Sequence, residues 1–253
     1  MRNPTWLSSR GRGGCVQPRR NFPAATHVDT AMTETSMVER PASKNAVTWF
    51  GLAFSMVSML VIRQIFRAIN PEPRAALVLV REACFFASAG ALFWLIRRCE
   101  KLSLRSIGIG TSPVWKSLAW GVVITVACFI PALVIAHFTG YGHGAASKAF
   151  DKLPLWAVSI VVLRAGVVEE LFFRGYAIER LEMLGFGRVA ACIIPLTIFS
   201  VGHWTGGAAN ILIAFVVGGV LTAFYLWRRD LVANMFGHFL VDFVGNVLPR
   251  LFS

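Results

Sequence analysis

The stretch LAWGVVITVACFIPALVIAHF, residues 118–138, runs for 21 residues without one Asp, Glu, Lys or Arg. A helix of that length is about 31 Å long at ~1.5 Å per residue, which matches the ~30 Å hydrocarbon core of a bilayer. A surface helix of a soluble domain carries a polar face, and this segment has almost nothing polar to offer one. It reads as a transmembrane helix. Working outward, similar segments run from Ala46 to Ile62, Ala75 to Ile96, Leu155 to about Arg174, Arg188 to Trp204, Ala208 to Trp227 and Leu231 to Pro249. The expected fold is therefore all-α, a polytopic transmembrane helix bundle of about seven spans. Residues 1–45 are expected to form a polar basic tail, residues 46–153 the N-terminal transmembrane helices, and residues 154–253 a C-terminal transmembrane core.

Composition agrees with this reading. Hydrophobic residues make up 56% of the 253 and charged residues only 15%, against about 45–50% and about 25% in soluble domains. Disorder is excluded by the same apolar content. The five cysteines (15, 84, 99, 128, 192) lie mostly in apolar runs and read as small hydrophobes, not as a disulfide or zinc framework.

The net charge of +12 reads as topology. If the spans alternate, 16 of the 25 basic residues fall on the side of the N-terminus and six on the other. The positive-inside rule then makes the N-terminal side cytoplasmic, so the expected location is the plasma (inner) membrane, with the bilayer as partner and no nucleic acid. Arg63, Arg67 and Arg74 are assigned to the opposite loop, with Lys148, Lys152 and Arg250. Within the tail, Met32 and Met37 open stretches that resemble ordinary starts, so residues 1–31 are read as an over-extended start; a transit peptide is the alternative. Removing that segment's five Arg and one Asp lowers the net charge to +8.

Ionisable groups at membrane depth are functional candidates by default. Glu82, Glu169, Glu170, Asp242, His203 and His238 qualify. In VVEELFFRGY, residues 167–176, Glu170 and Arg174 are four apart and can pair on one helix face. Glu169 points about 100° away and has no such local partner, so it is left for other work. A helix end meeting the headgroups is the bland reading of such charges. In the last span Asn234, His238, Asp242 and Asn246 recur at fours. That stripe must face a bundle interior or a wet cavity, or else hold helices together by hydrogen bonds.

Together the set has what peptide hydrolysis requires. A desolvated glutamate can take a proton from water and return it to the leaving amine. A histidine can orient that water, and a second, beside a carboxylate or amide, can stabilise the oxyanion. Two His and one carboxylate can equally hold zinc with an open water position, with Glu169, His203 and His238 as candidate ligands; spacing does not choose between these mechanisms. No HExxH, GxGD or GxSxG motif is present.

Three motifs, EELFFR (Glu169–Arg174), FSVGH (Phe199–His203) and HFLVD (His238–Asp242), resemble the EExxxR, FxxxH and HxxxN/D motifs of the CAAX-processing and bacteriocin-processing intramembrane endopeptidases, the type II CAAX prenyl endopeptidase-like proteins. The resemblance covers roughly residues 155–249. It implies that Glu169 is the catalytic base, acting with His203 on the attacking water. It makes His238 and Asp242 the oxyanion-stabilising pair, with Glu170 and Arg174 as accompanying positions read as a site-shaping ion pair. The family commonly has Asn at the last position; Asp242 there suits either a metal or a protonated carboxyl. The implied substrate is a peptide or lipid-anchored protein, with no residue specifying a prenyl group. A proton-coupled transporter and a catalytically inactive bacteriocin-immunity-type membrane protein are the alternatives; no inverted repeat of the transporter kind is visible.

Counted from Leu155 at ~1.5 Å per residue, Glu169 lies about 21 Å in, and His238 about 10 Å in from Leu231. These agree on a site in the cytoplasmic half. His203, counted from Arg188, falls too deep, unless the uncharged turn TGGAAN (205–210) lies inside the bundle. Arg81, Glu82 and Arg164 either pair across helices or line the cavity. His137 and His143 read as loop residues.

Overall fold

A computed structural model describes residues 42–69, 74–141 and 152–252, all within one compact unit. The start-site reading at Met32 and Met37, together with His143 and Lys148, lies outside the described residues. Among the described residues there is no strand. The helices are α1 (Ala42–Ile69), α2 (Ala75–Trp94, continued by a π turn Leu95–Cys99), α3 (Val114–Thr139), α4 (Leu155–Arg164), α5 (Glu179–Met183), α6 (Arg188–Val201), α7 (Ala208–Arg228) and α8 (Leu231–Asn246). Between α4 and α5 the helical path runs on through two π-helical stretches, Ala165–Glu169 and Leu171–Ile178.

The chain is thus the all-helical polytopic bundle expected, with changed boundaries. Among the described residues four helical segments are long and apolar enough to cross a membrane: Asn45–Ile69, Ala75–Cys99, Val114–Thr139 and Ala208–Arg228. The expected span from Arg188 to Trp204 ends at Val201; its 14 residues make about 21 Å of helix, short of a ~30 Å core. α1 starts at Ala42, inside the expected tail, and runs seven residues past Ile62. Arg63 and Arg67 therefore sit on a helix and not in a loop.

Local chemistry sets several ends. Gly140 closes α3 in the left-handed region (φ 66°), where glycine meets no Cβ penalty. Asp230 caps α8: one side-chain oxygen accepts from the Ala233 N–H at 3.2 Å, and the other from Ser117 Oγ at 2.7 Å. That second bond ties the start of α8 to the start of α3. The two helices then cross through small residues, as membrane helices do. A Cβ on Gly237 would lie 2.6 Å from Ile124 Cγ2, and one on Gly121 would lie 2.6 Å from Phe236. Thr125 Oγ1 reaches across to the Gly237 carbonyl at 3.2 Å.

Outward, α3 shows Val122, Val123, Val126, Ile130, Leu133 and Val134 to the surroundings, a face suited to lipid. Exposed Trp49, Trp94, Trp115 and Trp227 stand at the start of α1, the end of the α2 helix, the start of α3 and the end of α7. In an up-and-down bundle these positions share one end, and they form an aromatic belt of the kind found at membrane interfaces. Trp49 meets Phe186 edge-on at 5.9 Å, and Trp120 meets Trp227 edge-on at 5.1 Å.

Candidate functional site

The segment after α4 brings most of the charge into the bundle, and its winding decides where each group goes. On an α-helix, residues 164 and 169 would stand about 140° apart. The π register closes i to i+5, so Arg164 comes onto the same side as Glu169, and its Nη1 bonds Glu169 Oε1. This corrects the expectation that Glu169 has no local partner; an α-helical wheel cannot show the pairing. Close approach of α8 depends on Gly166, where a Cβ would lie 2.8 Å from the Met235 carbonyl and from Phe239.

Glu170 points the other way and is fully buried. Its Oε1 accepts from Arg174 Nη1 at 2.8 Å and from His238 Nδ1 at 2.8 Å. Its Oε2 accepts from Asn234 Nδ2 at 3.2 Å. Arg174 also donates to the Gly218 carbonyl at 3.1 Å and lies 4.3 Å over the Phe199 ring. The Glu170–Arg174 pair expected from the spacing is present, and the carboxylate does more than neutralise an arginine. It also orients His238, the link that spacing did not reveal.

His203 follows the end of α6, where the chain passes into a short 3-10 turn (Trp204–Gly206). Its Nδ1 lies 2.8 Å from the Phe199 carbonyl. A carbonyl only accepts, so Nδ1 carries the proton and Nε2 of the neutral ring is the acceptor. His203 and Glu169 line one narrow cleft of about 10 Å³, room for roughly one water, with Leu60, Arg63, Phe173 and Phe199. The depth conflict between these two residues is thereby removed. Arg63 spans the cleft wall, donating to the Gly202 carbonyl at 2.7 Å, with Nη2 3.7 Å from Glu169 Oε1.

Phe199 stands between the two histidines, its ring centre 4.7 Å from that of His203 and 6.3 Å from that of His238. Asp242, one turn beyond His238, places Oδ2 3.7 Å from Nε2, too long for a direct hydrogen bond; its side chain is 31% exposed. Asn246 bonds back to the Asp242 carbonyl at 2.9 Å and belongs to its own helix end. Of the polar stripe, then, Asn234, His238 and Asp242 face the site. His137 stacks edge-on against the neighbouring Phe138, away from it.

Sequence reasoning left Arg81, Glu82 and Arg164 open, and in the structure they pair across helices. Arg164 Nε bonds Glu82 Oε2 at 2.8 Å, and Arg81 holds Glu82 Oε1 at 2.6–2.7 Å. Arg63 was placed in a loop because it follows the apolar run by one residue. The i,i+4 spacing of Arg63 and Arg67, continuing the span, was the available signal that the helix runs on.

The donor set does not fit a zinc ion. Among the described residues no three His, Cys, Asp or Glu side chains converge as ligands. Glu169 Oε1 meets two guanidiniums and His238 Nδ1 meets Glu170, which leaves Glu169 Oε2 and the histidine Nε2 atoms as the remaining donors.

Fold and site together define a membrane-embedded helical protein with two glutamates and two histidines gathered from three separate helical segments. Residues 151–244 match the family model described as type II CAAX prenyl endopeptidase Rce1-like. That segment holds all three motifs, and the resemblance read from them is shown over it; it covers somewhat over a third of the chain. The matched family supports a CAAX-type membrane protease. Searches of the curated proteins and of the solved structures returned no match.

Proposed function

We propose that the protein is a glutamate-dependent intramembrane endopeptidase. The observation that carries this reading is the shared cleft of Glu169 and His203, with the acceptor nitrogen of His203 not used by its carbonyl partner. A water held there loses a proton to Glu169 as its oxygen attacks the peptide carbonyl. His203 Nε2, as an acceptor, orients that water. When the C–N bond breaks, the proton passes from Glu169 to the leaving amine. His238 is assigned to the oxyanion. Its Nδ1 already donates to Glu170, so it must carry both ring protons for Nε2 to donate as well. Asp242 lies alongside as the second member of that pair.

The substrate is proposed to be a membrane-associated peptide or lipid-anchored protein. An apolar groove of about 360 Å³, lined by Leu60, Gln64, Ile198, Val201 and Trp204, adjoins the cleft through Leu60, Ile198 and Gly202. It gives an apolar chain a way to the site from within the bilayer. The positive-inside rule supports a cytoplasmic N-terminus in the plasma (inner) membrane. The test is cleavage of a lipidated peptide by detergent-purified protein, compared with Glu169→Gln; equal rates refute the reading.

A further inference from the structure

Glu82, on α2, lies outside the matched segment and has no place in the three motifs. Yet it is 1% exposed and belongs to a ladder of alternating charge centred on Arg164: Arg81, Glu82, Arg164, Glu169, Arg63. A buried carboxylate this far from water is costly unless it is paired, and one arginine contact would suffice for that. Which atoms are used is more informative. Arg164 gives its Nε to Glu82 and its Nη1 to Glu169. Its guanidinium also lies 4.8 Å over the ring of buried Phe85, which fixes the plane. A guanidinium is a rigid fork. With Nε anchored on Glu82, the side-on Nε edge of Arg164 is not offered to Glu169, and Nη1 meets Oε1 there. Arg63 approaches the same Glu169 oxygen, Oε1.

We propose that Glu82 is a positioning residue for the hydrolytic reaction, acting through Arg164 to hold Glu169 by one oxygen and leave Oε2 to address the water. This inference rests on Glu169 being the base proposed above. Loss of Glu82 frees the Nε edge, lets Arg164 take both oxygens of Glu169 and withdraws the oxygen that receives the proton. Substrate binding, made elsewhere in the cleft and groove, is unaffected. The N-terminal helices thereby contribute to a site whose motifs all lie in the C-terminal part of the chain.

The test uses the full-length protein in two ways. The infrared difference spectrum of wild type minus Glu169→Gln isolates the Glu169 carboxylate, and the splitting of its two stretching bands reports whether one oxygen or both are held. Recorded again in a Glu82→Leu background, the splitting is expected to change; an unchanged splitting overturns the proposal, and this readout needs no substrate. Where Glu82→Leu does not fold, Arg164→Lys replaces it, since an ammonium lacks the fork and is expected to change the splitting too. With an internally quenched farnesylated peptide as probe, Glu82→Leu is expected to lower kcat about 10- to 100-fold and KM by less than about twofold. Glu82→Gln, which keeps an acceptor for Nε, is expected to recover most of that loss. In an Arg164→Met background Glu82→Leu is expected to have no further effect; an undiminished effect there overturns the proposal. Full kcat in Glu169→Gln sinks the functional reading itself, whereas loss in Glu169→Gln with full kcat in Glu82→Leu sinks only this inference.

Discussion

The Nδ1 of His238 and the Nη1 of Arg174 meet the same oxygen of Glu170, each at 2.8 Å. One buried carboxylate thus joins the segment after α4 to α8. The neighbouring residue in sequence, Glu169, faces the cleft with His203. In the proposed mechanism the two consecutive glutamates divide the work, Glu170 building the site and Glu169 serving it.

If Glu170 builds the site, its removal is first of all a folding defect. Glu170→Ala leaves Arg174 buried without its ion pair, a change that costs about 3–5 kcal/mol. Thermal unfolding in detergent should show the large drop. A variant as stable as wild type contradicts the structural role assigned to Glu170.

His203 predicts the opposite pattern. It sits where α6 has already ended, and its side chain hydrogen-bonds the Phe199 carbonyl. His203→Ala is expected to keep unfolding within about 1 kcal/mol of wild type while lowering kcat about 10²- to 10⁴-fold. Equal losses of stability and activity would place it among the structural residues.

Packing of α3 on α8 rests on Gly121 and Gly237. Gly237→Leu forces a side chain against Ile124 and the Gly121 carbonyl, and overpacking of this kind costs about 1–3 kcal/mol. Gly245, on the same helix, has nothing near its Cβ position, so Gly245→Ala is the matched control and should be nearly neutral. Comparable destabilisation by both would remove the packing argument.

The proposed mechanism, in which Glu169 and His203 activate the water themselves, has a direct consequence. Cleavage by the purified protein is expected to survive prolonged treatment with a strong chelator, with added zinc giving no increase. Activity lost to the chelator and restored by zinc alone would require a ligand set different from the arrangement of Glu169, His203 and His238 seen here.

The sequence made the bundle legible because a bilayer imposes length and apolarity on each crossing helix, and residues 118–138 could hardly be anything else. It also put Glu169, His203 and His238 on the same short roster, since ionisable groups are rare at that depth. What it concealed has one physical cause, the local winding of the chain. A helical wheel of 3.6 residues per turn separates Arg164 from Glu169, whereas the π turn Ala165–Glu169 unites them. Periodicity also treats Glu170 as a partner of Arg174 alone, because contact with His238 comes from another helix. Arg63 was lost for a simpler reason: hydropathy marks where apolar residues stop, and α1 continues beyond that point to Ile69.

The central claim is that Glu169 moves the proton in peptide-bond hydrolysis. The most direct measurement incubates purified wild type and Glu169→Gln with a library of lipidated peptides and reads the products by mass spectrometry. The account predicts a defined cleavage product from wild type and a kcat/KM lower by about 10²- to 10⁴-fold in the variant. Undiminished cleavage by Glu169→Gln contradicts it, as does a proton flux in liposomes that Glu169→Gln abolishes while neither protein cleaves any peptide.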